Sequence, residues 1–242
     1  MHELLVAGVI IAAALIASTL AAVAGFGGAA IMLPILVWAV GVRDAIPLLT
    51  VAQLIGNLSR VWFNRGELSL PVVKWFALGA VPAAIAGGIL FATAPVAALV
   101  RVLGVVLLLT VAYRRTTWGR NARIRLRGFL PLGAASSFLS ALAGTVGPIM
   151  APFFLAYGLV RGAYIGTEAM ATVVMHVVKL GVYGKYALLS IRILLIGLAI
   201  GAVMILGSYL GKRILNRVPE RFFPYIIEGV LIVAGLLFVI KG

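Results

Sequence analysis

Long runs without a single charge constrain this chain more than any other feature. Leu4 to Val42 carries none, nor do Trp75 to Val100, Gly128 to Val160 and Ile193 to Gly211. A helix that crosses a bilayer needs about 20 mostly apolar residues. Each of these runs reaches that length or comes within a residue of it. Composition agrees, with 64% apolar and 11% charged residues, against about 25% charged in soluble domains. A soluble fold of this length would leave much of that apolar surface in water. The chain reads as an all-α polytopic membrane protein, with no polar stretch long enough for a separate soluble domain.

The charge that remains is strongly basic, 20 Lys and Arg against 6 Asp and Glu. The basic residues sit mostly between the apolar runs, where they mark loops retained on the cytoplasmic side. No aromatic-basic stripe accompanies them, so nucleic acid is not an expected partner. The absence of cysteine rules out disulfides, iron–sulfur ligation and thiol chemistry. Met1, His2 and Glu3 lack the basic start of a signal peptide, and the first apolar run reads as a retained membrane segment.

Glycine, proline and charge divide the chain into spanning helices expected near 4–24, 45–64, 70–92, 95–113, 129–143, 163–183, 190–213 and 220–240. Helix is the only sensible element between breaks, because backbone groups in lipid must be satisfied internally. Two shorter apolar pieces, near 29–41 and 148–159, follow glycine-rich breaks at Gly25 to Gly28 and Gly144 to Pro148.

The two halves repeat. At an offset of 118 residues Pro34 meets Pro152, Val42-Arg43 meets Val160-Arg161, and Gly66 meets Gly184. At 119, Ala24-Gly25 meets Ala143-Gly144 and Gly28 meets Gly147. Matched basic and proline positions are harder to obtain by chance than matched alanines. The expected units are residues 1–113 and 128–242, joined by a basic linker, 114–127. That linker holds six arginines, at 114, 115, 120, 123, 125 and 127, and is expected in the cytoplasm. So is the loop with Lys212, Arg213, Arg217 and Arg221. Between the two loops the chain must cross an even number of times. The 129–160 segment then enters and leaves on one side, as a broken hairpin. The same rule makes 4–41 a hairpin, each half a hairpin plus three crossings, and the repeats inverted with both termini outside. Inverted repeats with interrupted helices are the architecture of many secondary transporters.

The breaks carry the first candidate chemistry. Gly25, Phe26, Gly27 and Gly28 form one, and Gly144, Thr145, Val146, Gly147 and Pro148 the other. Glycine permits a sharp turn and the close approach of a ligand. A helix restarting after a break offers unpaired N–H groups and a positive dipole end, which suits an anion. A single break of this kind is more readily a packing kink, but two equivalent ones in an inverted repeat reverse that preference and favour a site.

Here a resemblance enters. Ala24-Gly25-Phe26-Gly27-Gly28 followed by Pro34, echoed by Ala143-Gly144 to Pro148 followed by Pro152, resembles the paired signature of the TauE/SafE family. The turns Val42-Arg43-Asp44-Ala45 and Val160-Arg161-Gly162-Ala163 fit as well, and so does the basic centre between the halves. The second copy departs from the pattern at Thr145-Val146. The resemblance implies export or uptake of a small sulfur oxyanion or organosulfonate, such as sulfite or sulfoacetate, across the cytoplasmic (inner) membrane. It implies no cofactor.

Polar residues inside the helices complete the candidate site. Thr50, Gln53, Asn57, Arg60 and Asn64 recur on one helical face, as do Glu168, Thr172, His176 and Lys179. Intramembrane ionisable groups usually face a cavity and mark a pathway. Gln53 and Asn57 suit either a ligand or an interhelical hydrogen bond. Arg60 and Lys179 suit either charge assistance to an anion or snorkelling to an interface, with snorkelling favoured. Glu168 and His176 are candidates for proton coupling, against a structural contact between Glu168 and a basic neighbour. Gly197-x-x-x-Gly201 and Gly207-x-x-x-Gly211 read as close helix packing, within the chain or in a homodimer. The bilayer itself is the other expected partner.

An enzyme is not expected. The chain has no Gly-x-Ser-x-Gly, no His-Glu-x-x-His and no aspartate pair. Asp44 is its only aspartate, and His2 and His176 its only histidines, so no metal site is expected. No phosphate-binding loop suggests ATP. Among transport mechanisms, alternating access is expected from the hairpins; an anion channel or an uptake permease is the alternative.

Overall fold

The structure, a computed structural model, describes residues 2–26, 28–99, 105 and 124–217. These residues form α-helices joined by short turns, with no strand among them. In the first half they are α1 (His2–Ala24), α2 (Gly28–Val40), α3 (Val42–Phe63) and α4 (Leu70–Thr93). In the second they are α5 (Phe129–Ala143), α6 (Gly147–Ala156), α7 (Arg161–Lys185) and α8 (Ile191–Arg217). A further helix begins at 96–99. The rest of the expected 95–113 helix, the linker before residue 124 and the expected 220–240 helix lie outside the described residues.

Length sorts these helices. At about 1.5 Å per residue, a helix of about 20 residues crosses the hydrocarbon core. Five described helical stretches are long and apolar enough to do so: Leu5–Ala24, Leu70–Thr93, Leu126–Ala143, Arg161–Lys185 and Ile191–Arg217. Helices α2 and α6, with 13 and 10 residues, are too short to span alone. Helix α3 has the length, 22 residues, but its inner face carries Gln53, Asn57, Ser59 and Arg60. It packs against α2, α7 and α8, so protein rather than lipid surrounds that face.

The helix ends follow local backbone chemistry. Helices α1 and α5 both end on a glycine with left-handed backbone, Gly25 at φ 83° and Gly144 at φ 73°. Each closes its helix with an N–H donated four residues back, to Ala21 O at 2.8 Å and Ser140 O at 2.9 Å. An αL glycine is a common helix stop. The expected break at Arg43-Asp44 lies instead at Gly41, φ 79°. Helix α3 therefore starts three residues early, and Arg43 donates from its first turn to the terminal carbonyls of α4, Ala92 O at 2.7 Å and Ala94 O at 3.1 Å. The break expected at Gly184-Lys185 falls a little later, where Ala187 takes φ 56°.

Helix α1 packs against α8, and α4 against α5. Helix α3 packs against α8, α4 against α7, and α3 and α7 meet each other. Exchanging the first four helices for the second four maps this set of pairs onto itself. The closest pairs meet through glycine. A methyl group built on Gly87 would lie 2.8 Å from Phe138 O, and one on Gly211 2.6 Å from Thr19 O. Gly197 and Gly201 meet Val51 and Ile55 of α3, so this pair of glycines packs within the chain.

The bundle reverses the polarity of a soluble protein. Leu5, Ile11, Ile16, Leu78, Leu195 and Leu206 are exposed, while Asn57, Arg60, Thr167, Glu168, His176 and Lys179 are buried. Trp38 and Trp62 are also exposed, as interfacial tryptophans are. Trp75 lies beneath the Arg127 guanidinium, 5.9 Å from its ring centroid. Trp118 lies outside the described residues.

Candidate functional site

Helix periodicity puts Gln53, Asn57 and Arg60 on the face of α3 that meets α7, and Glu168, Thr172 and His176 on the facing stripe of α7. The two helices exchange a buried ion pair, Arg60 Nη1 to Glu168 Oε2 at 3.3 Å. The same Nη1 donates to Gly25 O at 2.9 Å and Ala21 O at 3.1 Å, the carbonyl end of α1. Nη2 donates to Asn57 Oδ1. Thr172 Oγ1 donates to the other carboxylate oxygen, Glu168 Oε1, at 3.2 Å. A buried ion pair survives desolvation when further hydrogen bonds satisfy both partners, and here both have them.

Lys179 makes the matching contact in the second half. Its Nζ donates to Ser140 Oγ at 3.0 Å and Ser140 O at 3.4 Å, at the carbonyl end of α5. Tyr183 donates to Ala141 O at 2.8 Å, one residue further on. A cation at a helix C-terminus opposes the negative end of its dipole. Arg60 and Lys179 are 5% and 0% exposed, so neither snorkels as the sequence favoured. Each has helix-end carbonyls to satisfy it inside the bundle, which removes the need to reach an interface.

A small cavity of about 40 Å³ lies among these elements. Gly25, Phe26 and Gly28 of the first break line it, with Gly144, Thr145, Val146 and Gly147 of the second. Gln53, Asn57 and Arg60 line it from α3, and Glu168, Thr172 and His176 from α7. The two breaks touch: a methyl group on Gly147 would lie 2.7 Å from Phe26 Cβ. The starts of α2 and α6 thus face a common space.

Three buried polar atoms on this wall have no hydrogen-bond partner: Gln53 Nε2, Asn57 Nδ2 and His176 Nδ1. Buried polar groups are nearly always satisfied, and an exception marks a strained or functional position. The two amide nitrogens are donors only. At the start of α6 Pro148 has no N–H and Ile149 donates to Val146 O at 2.9 Å, so the Gly147 N–H, the start of α2 and the two amide nitrogens are the neutral donors an anion could meet.

The structure brings together all but three of the expected site residues. Pro148 is in the first turn of α6, buried and off the cavity wall. Lys179 stands behind Ser140 rather than on the wall. Gly27 lies outside the described residues. Sequence reasoning missed Ser140, Met150 and Met175 as lining residues, and treated Thr172 only as part of a polar stripe. Ser140 had a signal, since Ser136, Ser137 and Ser140 share a face of an otherwise apolar helix. The two methionines had none, because a methionine among apolar residues reads as core.

An apolar exterior around a buried ion pair and a polar cavity defines a polytopic helical membrane protein with an interior site. The family model for the sulfite exporter TauE/SafE matches residues 10–238, nearly the whole chain, and the chain belongs to that family. Comparison with curated proteins and with solved structures gave no match. Family membership places the chain among multi-pass membrane transporters, and the family name points to sulfur anions.

Proposed function

We propose that this protein is a secondary transporter that exports a small sulfur-containing anion, sulfite or an organosulfonate such as sulfoacetate, by proton-coupled alternating access across the cytoplasmic (inner) membrane. The observation that carries the reading is the cavity where both glycine breaks meet α3 and α7. The anion would rest on the starts of α2 and α6, whose N–H groups carry partial positive charge without a titratable group. Gln53 and Asn57 would donate from the side. Neutral donors hold an anion firmly enough to select it and loosely enough to release it.

The reciprocal helix pairing supports two inverted repeats, each a broken hairpin followed by spanning helices. In such repeats the site lies near the membrane midplane, and one half rocks against the other. Both ion pairs among the described residues join the halves: Arg60 with Glu168, and Glu67 with Lys212 at 3.5 Å. Breaking and remaking such bonds is one way for the halves to alternate. Glu168 shares its cavity with His176. Histidine changes charge most readily near neutral pH, and together they form the proposed proton path.

Flux of sulfite and sulfoacetate into proteoliposomes, with and without a proton gradient, tests this reading. The wild type should move at least one of these anions faster when the gradient is imposed. Glu168→Gln and His176→Ala should flatten the dependence of flux on pH while the protein stays folded. Flux that ignores the gradient, with a wild-type pH profile in both variants, would make the two residues structural and remove proton coupling. Wild-type vesicles impermeable to every sulfur anion offered would sink the substrate assignment.

A further inference from the structure

Arg60 and Lys179 occupy equivalent places, 119 residues apart in the chain. Each donates to a carbonyl 39 residues earlier, Arg60 to Ala21 O and Lys179 to Ser140 O. Each of those carbonyls lies one turn before the glycine that ends a broken helix, Gly25 or Gly144. Their electrostatic surroundings differ. Arg60 has Glu168 as counter-ion at 3.3 Å. Among the described residues no acidic group pairs with Lys179, and its polar neighbours are the two oxygens of Ser140. His176, one turn away on α7, and Tyr183, one turn on, are the other titratable groups beside it. Among the described residues, two basic groups in the centre of the bundle, Arg60 and Lys179, therefore face one acidic group, Glu168.

A buried charge is costly without a counter-ion even where it is hydrogen-bonded, and an anion in the cavity would supply one. Ser140 is the link. It lines the cavity, and its Oγ accepts from Lys179 Nζ at 3.0 Å. A hydroxyl that accepts one hydrogen bond can still donate its own proton. A chain of this kind polarises each member toward the next.

We propose that Lys179 is the counter-charge for the transported anion, acting through the Ser140 hydroxyl, and that it sets a preference for doubly over singly charged anions. The inference rests on the anion-transport reading above. Lys179 is a positioning residue in this role, since Ser140 makes the contact. Were Lys179 only a cap on α5, its loss would weaken every ligand alike. A counter-charge acts in proportion to the charge it faces.

Isothermal titration of the purified full-length protein separates the two. The probes are sulfoacetate, with two charges, and methanesulfonate, with one. Lys179→Met should weaken sulfoacetate about tenfold or more and methanesulfonate about threefold or less, in keeping with the charge each carries. Lys179→Arg should restore the wild-type ratio. Ser140→Ala, which leaves the lysine in place, should lower the sulfoacetate preference by breaking the link. Equal losses for both probes in Lys179→Met, or an unchanged ratio in Ser140→Ala, would overturn the inference while leaving anion transport standing. If Lys179→Met does not fold, the ratio in Ser140→Ala decides alone. A wild-type protein that binds neither probe would overturn this inference and the organosulfonate part of the reading, and leave sulfite to the flux measurement.

Discussion

At the scale of single residues, the centre is held by groups whose partners are far away in sequence. Arg60 and Glu168 are 108 residues apart. Helical spacing put each on an inward face, yet nothing in the spacing joined the two. It favoured snorkelling for Arg60 because it could not show that the carbonyl end of α1 would lie beside the guanidinium. Removing one member of a buried pair leaves an uncompensated charge and costs about 3–5 kcal/mol. Glu168→Leu should therefore lower the unfolding temperature in detergent markedly. Arg60→Met/Glu168→Leu should unfold above Glu168→Leu alone, since no charge is then stranded. Simple additivity of the two single losses would show that the pair is not coupled. The free amides of Gln53 and Asn57 were legible as polar positions, but that their nitrogens lack partners is a fact of packing alone.

At the scale of helices, the sequence was most informative where chain chemistry is local. Left-handed glycines stop α1 and α5 where the glycine breaks were expected, because that conformation is costly for other residues. The start of α3 was misplaced because Arg43 and Asp44 look like a loop, whereas Arg43 caps the end of α4. Glycines that make helix contacts look the same in sequence as glycines that face nothing. Gly133 of α5 is buried against the Phe76 carbonyl of α4, while Gly181 of α7 has open space where a methyl group would go. Gly133→Ala should force the α4 and α5 backbones apart and destabilise by about 1–3 kcal/mol. Gly181→Ala should be neutral or stabilise by about 0.5–1 kcal/mol, from helix propensity. Thermal unfolding of the two variants checks this contrast, and equal effects would mean that the α4–α5 contact is looser than described.

At the scale of the whole molecule, membrane class was legible from the uncharged runs alone. The offset of basic, proline and glycine positions is the sequence ground for the proposed repeat, and the reciprocal helix pairing supports it. What the sequence could not supply is that α3 and α7 meet and line one cavity with both breaks, since that depends on how α1 meets α8 and α4 meets α5. The proposed inverted repeat predicts an orientation with both termini outside and the 114–127 linker inside. The chain has no cysteine of its own, so single introduced cysteines can be labelled from either side without background. A C-terminal residue labelled only from the cytoplasm would remove the inverted-repeat reading. A small sulfur anion is proposed to bind between the two breaks, held by donors that have no partner within the protein, Gln53 Nε2 and Asn57 Nδ2. Gln53 tests it most directly, because its Nε2 has no partner to lose. Truncating an unsatisfied buried donor should cost the fold little or nothing, while a lost hydrogen bond to a charged ligand is worth about 1.5–3 kcal/mol. Isothermal titration of sulfite and sulfoacetate into the wild type and Gln53→Met, with thermal unfolding of both, is the measurement. The account predicts a variant at least as stable as the wild type that binds the anion about tenfold more weakly or worse. A folded Gln53→Met protein with wild-type affinity would contradict it.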